Sequence, residues 1–101
     1  MEKQNDSIKF IRSIVPEAEG LAILAEEATE LAHAALKMRR TLIPNNPTPV
    51  DYTSARAALL EELADVVLSM EAVGCSEDDL QTLERVYKYK ERRWVERLAS
   101  E

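Results

Sequence analysis

Apolar positions along this chain recur every three or four residues rather than every second one, the pattern of helices with one buried face. Ile8, Ile11, Ile14 and Val15 make the first cluster. Residues 1–6 read as a frayed tail, Ser7 as a helix cap, and Pro16 as the point where the first helix ends or bends into the next. From Glu17 to Thr41 the apolar residues Leu21, Leu24, Ala28, Leu31, Ala35 and Met38 repeat at helical spacing. Lys37, Arg39 and Arg40 fall in the last turn of that helix, where cations complement its dipole. The run Pro44-Asn45-Asn46-Pro47-Thr48-Pro49 excludes a helix, because each proline lacks a donor and pushes its predecessor toward extended geometry. A third helix is predicted from Thr53 or Ser54 to Gly74, a candidate left-handed C-terminal cap, with Leu59, Leu63, Val66, Val67 and Met70 as its stripe. Ser76 then caps a fourth helix reaching about Leu98, with Glu77, Asp78 and Asp79 in its first turn.

The fold expected is therefore all-α: a four-helix-type bundle of antiparallel helices in a single domain over 1–101. Composition agrees, since aromatics are only 5% and good helix formers dominate. A chain of 101 residues can build one modest core, so completion of the bundle by a second copy is expected. The net charge of −6 disfavours nucleic acid polymers and anionic membranes as partners. No apolar run is long enough to span a bilayer and the N-terminus lacks an apolar signal core, so a cytoplasmic location is expected. Cys75 is the single cysteine, which excludes an intrachain disulfide and a thiolate metal cluster; its expected place is a buried helix end.

The second and third helices carry one motif twice. Glu26-Glu27-Ala28-Thr29-Glu30 matches Glu61-Glu62-Leu63-Ala64-Asp65 at a constant offset of 35, with Leu24 against Leu59, Leu31 against Val66 and Ala35 against Met70. On a wheel of about 100° per residue, Glu27 and Glu62 fall at the same angle, as do Glu30 and Asp65, each pair at one edge of its apolar stripe. Antiparallel packing would bring the pairs face to face. Four carboxylates that close repel one another, and a hard divalent cation is the natural compensation. A single Glu pair three residues apart is ordinary on a solvated helix face. Two such pairs in matching register are what raise a metal site above that reading.

At these residues the chain resembles the MazG-like, all-α nucleoside triphosphate pyrophosphatase superfamily, marked by Glu-Glu-x-x-Glu on one helix and Glu-x-x-Asp on the next. The resemblance covers about residues 20–95, and Glu61-Glu62-Leu63-Ala64-Asp65-Val66-Val67 is its most similar stretch. It implies hydrolysis of a nucleoside triphosphate, or of a deoxy or modified form, to the monophosphate and pyrophosphate. It also implies Mg²⁺ as cofactor, with Mn²⁺ as a substitute, and Glu27, Glu30, Glu62 and Asp65 as ligands. Glu26 and Glu27 are then the catalytic candidates, Glu26 as a group that orients water. Lys88, Arg92 and Arg93 on the fourth helix become candidates to meet phosphate, beside the alternative that they are solvated charges paired with Glu91 and Glu96. A homodimer or homotetramer follows from the same resemblance. His33 reads first as a surface residue, and Tyr87 and Trp94 as packing residues of the bundle or of a dimer seam. Two features depart from the family pattern: a long, Pro-rich linker between the motifs, and Lys37 and Met38 where some members carry base-holding aromatics.

Two other functions compete. Phosphoribosyl-ATP pyrophosphohydrolase has similar helices, but usually follows the second acidic motif with a Tyr-His pair, where this chain has Val66-Val67-Leu68-Ser69. The other is a non-catalytic helical interaction module that retains the fold.

Overall fold

A computed structural model describes residues 6–44 and 51–100. Within them lie four α-helices and no strand: α1 (Asp6–Ile14), α2 (Glu17–Leu42), α3 (Tyr52–Val73) and α4 (Glu77–Ala99). None of these helices is long and apolar enough to cross a membrane. The Pro-rich loop begins at Pro44, and its remainder lies outside the described residues.

The helix ends differ from expectation where a cap went unread. The first helix starts at Asp6, one residue ahead of Ser7. The third starts at Tyr52, because Asp51 is its cap: the Asp51 Oδ1 accepts from the Ser54 backbone N–H at 2.8 Å. Ser76 caps α4 as predicted, and the arrangement is reciprocal. Asp79 N–H donates to Ser76 Oγ at 3.1 Å, and Ser76 N–H donates to Asp79 Oδ2 at 3.0 Å.

At the far end of α3, Gly74 has φ 88° and ψ 102°. The positive φ matches the glycine reading, but ψ is displaced from the left-handed helical well. A terminal carbonyl of α3 finds a partner from outside the helix. The Arg12 Nε–H donates to the Glu71 carbonyl oxygen at 2.7 Å, one of the acceptors that a helix end leaves open. A Cβ at position 74 would stand 3.4 Å from that same Nε, so both conformation and space favour glycine.

The helices α2 and α3 form the main packed unit, with α1 laid against α3. In α2 the buried and half-buried residues are Gly20, Leu24, Glu27, Leu31, Ala34, Met38 and Thr41. The matching line on α3 runs Ala55, Leu59, Glu62, Val66, Ser69 and Val73. These are alternating steps of three and four, the spacing of a coiled-coil seam. The offset of 35 between the acidic motifs also holds for the seams, residue by residue, from Gly20 with Ala55 to Met38 with Val73.

This corrects the stripes expected from hydropathy. Leu21, Ala28 and Ala35 of α2, and Leu63 and Met70 of α3, are exposed. They lie about 60–100° around the helix from the seam. Hydropathy alone averages every apolar face of a helix, whereas one neighbour covers only the side toward it. The consequence for function is that Glu27 and Glu62 stand on the seam itself and not at its edge.

Candidate metal centre

The site begins with the register of α2 on α3. Gly20 lies against Val73, Glu27 against Asp65 and Glu30 against Glu62. Numbers rise along one helix as they fall along the other, so the two acidic motifs meet in the middle of the pair. One carboxylate oxygen each from Glu27, Glu30 and Glu62 can be chosen such that all three lie within 4.8 Å of one another. Asp65 is not one of that group of three, although its charge acts on both Glu27 and Glu62.

Burial varies across the cluster. Glu27, Glu62 and Asp65 are half-buried, while Glu30 and Glu26 are exposed. The Oε2 atoms of Glu27 and of Glu62 are withdrawn from solvent and have no hydrogen-bond partner among the described residues. A carboxylate oxygen in that condition is costly, because desolvation is not repaid by a donor. Both carboxyls respond by holding their protons more tightly. Burial is the largest influence raising the Glu27 pKa above 4.5, followed by the charges of Glu30, Asp65 and Glu26. Burial again leads for Glu62, followed by the charges of Glu30, Asp65 and Glu27.

No Lys or Arg occurs between Glu17 and Leu36, nor between Ala57 and Val73. The cluster therefore has no cation on the helical stretches that carry it. A hard divalent ion would answer both the orphaned oxygens and the repulsion, and an all-carboxylate donor set suits Mg²⁺ better than a softer metal.

The other candidates lie elsewhere. Lys88, Arg92 and Arg93 sit on α4, all of whose residues are exposed. Lys88 Nζ pairs with Glu84 at 3.1 Å, and the Arg93 guanidinium lies 5.7 Å from the centroid of the Tyr89 ring. Among the described residues no helix packs along α4, and these cations are not assembled with the carboxylates. His33 is exposed, as expected of a surface residue, and so are Tyr87 and Trp94; no packing role for those two is realised within one chain. Cys75 is free and half-buried in the connection between α3 and α4.

One acid escaped the sequence reading. Glu71 Oε1 is buried without a hydrogen-bond partner among the described residues, within the last turn of α3, and nothing in its spacing marks it out. Comparison of the chain with protein-family models, with curated proteins and with solved structures gives no match.

Proposed function

We propose that the chain is a Mg²⁺-dependent nucleoside triphosphate pyrophosphohydrolase, cutting a (d)NTP or a modified nucleotide into the monophosphate and pyrophosphate. The observation that carries this reading is the convergence of Glu27, Glu30 and Glu62 on the seam of α2 and α3, with two oxygens left partnerless. A purely structural seam would place apolar side chains there, since buried carboxylates without partners weaken a core. Resemblance of the double acidic motif to MazG-like enzymes points the same way.

In this reading Glu27, Glu30, Glu62 and Asp65 hold the metal. When bound, Mg²⁺ supplies Lewis acidity toward the phosphoryl oxygens and lowers the pKa of coordinated water. Glu26, exposed beside Glu27, is the group that orients the attacking water and receives its proton. Water adds to the α-phosphorus as the bond to the α–β bridging oxygen breaks, releasing pyrophosphate. Lys88, Arg92 and Arg93 would neutralise the leaving group. The protomers would complete an antiparallel four-helix bundle as a homodimer or homotetramer.

The test is pyrophosphate release from a panel of nucleoside triphosphates with Mg²⁺ or Mn²⁺, for wild type and Glu62→Ala. Release from at least one nucleotide is expected, falling by roughly 100-fold or more in the variant, since even groups that only orient metal ligands cost about 10–100-fold when lost. Release from phosphoribosyl-ATP alone would transfer the assignment to that hydrolase. Silence across the whole panel would leave a helical interaction module.

A further inference from the structure

The cations of this chain are segregated, and its net charge conceals that. Residues 85–97 hold six of the 13 Lys and Arg but only two of the 19 carboxylates. Helix-dipole complementarity accounts for basic residues in a last turn, which in α4 means Arg97 alone. Exposed charges act over about 8 Å at physiological salt. No helix packs along α4 among the described residues, so its local charge governs what it meets.

Angle sorts these cations further. On a wheel of about 100° per residue, Leu83, Val86, Lys90, Arg93, Trp94 and Arg97 share an arc of about 100°. From Leu80 to Leu98 no carboxylate falls within that arc: Glu84, Glu91 and Glu96 lie on other sides. All six residues are exposed, Trp94 at 61%. Lys90, Arg93, Trp94 and Arg97 together border an open groove. Among the described residues none of its three cations is in an ion pair, whereas Lys88 is held by Glu84.

Three cations interleaved with Leu83, Val86 and Trp94 over about 21 Å of helix fit a surface that is both anionic and apolar. A bilayer of anionic lipids is such a surface. Its headgroups meet Lys90, Arg93 and Arg97, Trp94 sits at headgroup level, and Leu83 and Val86 reach the acyl boundary. A single-stranded nucleic acid would use the cations and the ring but leave Leu83 and Val86 without a partner. The homodimer proposed above does not need this face. A second α2–α3 pair would pack where Leu60, Leu63 and Met70 are exposed, on the side turned away from the carboxylates.

We propose that α4 is a peripheral membrane anchor, laying its Leu83–Val86–Lys90–Arg93–Trp94–Arg97 face on a bilayer rich in anionic lipid. None of the helices crosses a membrane; α4 lies on one. The expectation drawn from net charge is reversed for this helix, because the arrangement of its charges outweighs their sum over the chain. Lys88 and Arg92 lie on the far side of α4 and stay available to phosphate, while Arg93 is claimed by both readings. The anchor is independent of the pyrophosphohydrolase reading.

Trp94 is the only tryptophan, which makes the test direct. The full chain is mixed with vesicles of phosphatidylserine and phosphatidylcholine, or of phosphatidylcholine alone. Co-sedimentation, Trp94 emission and its quenching by acrylamide are followed. The expected result is association with the anionic vesicles, a blue shift of Trp94, a several-fold fall in quenching, and release as salt is raised. Lys90→Gln with Arg97→Gln should weaken association by roughly 30-fold at unchanged helix content by circular dichroism. Lys37→Gln with Arg40→Gln, in the other basic cluster, should change it little. Failure to bind the anionic vesicles overturns the anchor, and so does equal binding to phosphatidylcholine alone. Trp94 already shielded without vesicles overturns it as well, since protein would then cover the face. Binding to a single-stranded oligonucleotide in place of the vesicles would assign the cations to a polymer instead and overturn it too.

Discussion

In the α2–α3 pair, carboxylates occupy seam positions that ordinarily hold apolar side chains; in α4, apolar side chains occupy a face that ordinarily would be polar. The first region buries Glu27 and Glu62 among Leu24, Leu31, Leu59 and Val66. The second leaves Leu83, Trp94 and Leu98 about half exposed or more. Each inversion costs free energy in an isolated chain, through desolvated charge in one case and hydrated hydrocarbon in the other. Together they mark the two places where the chain is least satisfied, the seam carboxylates and the uncovered apolar face of α4.

The sharpest way to break this contrast is at the seam. Glu62→Ala should cut turnover by roughly 100-fold or more, and Mg²⁺ should raise the melting temperature of wild type but not of the variant. Next in size is the clasp between the first and third helices. Arg12→Met removes the donor to the Glu71 carbonyl and should cost about 1.5–3 kcal/mol in chemical denaturation. Smaller again is the cap of α4. Ser76→Ala should cost about 1 kcal/mol, read as faster amide exchange in the first turns of α4 while the exchange of α2 and α3 stays unchanged.

The finest effect is on pH. Glu27 and Glu62 titrate above 4.5 in the folded chain, so the metal-free protein binds more protons folded than unfolded and loses stability as pH rises through that range. Asp51 and Asp79 are held below 3.8 by the hydrogen bonds they accept from Ser54 and Ser76. Their contribution is full above 3.8 and is lost as pH falls through their folded values. The metal-free melting temperature should therefore peak between the two windows. Glu27→Gln with Glu62→Gln should flatten the upper limb only. A profile whose upper limb persists in the double variant would remove the seam carboxylates as its cause.

Much of the fold was legible in the chain. Helical spacing predicts all four helices, and Ser76 and Gly74 sit at the boundaries their chemistry implies. The caps by Asp51 and Arg12 were not legible. Asp51 follows a Pro-rich run that hides where the helix starts, and Arg12 acts on a carbonyl 59 residues away. The repeat of Glu27-x-x-Glu30 in Glu62-x-x-Asp65 predicts the acidic meeting point, because a constant offset on two helices preserves angle as well as spacing.

By itself, then, the sequence determined which segments are helical and that two acidic motifs share one angular position, since both follow from local propensity and a fixed periodicity. Only the tertiary structure decided which angle faces inward. A helix with more than one apolar side can pack on any of them, and the neighbour's register selected the line through Glu27 and Glu62. It likewise left α4 outside the packed pair, because the periodicity of a helix gives it an apolar face without specifying which neighbour covers it.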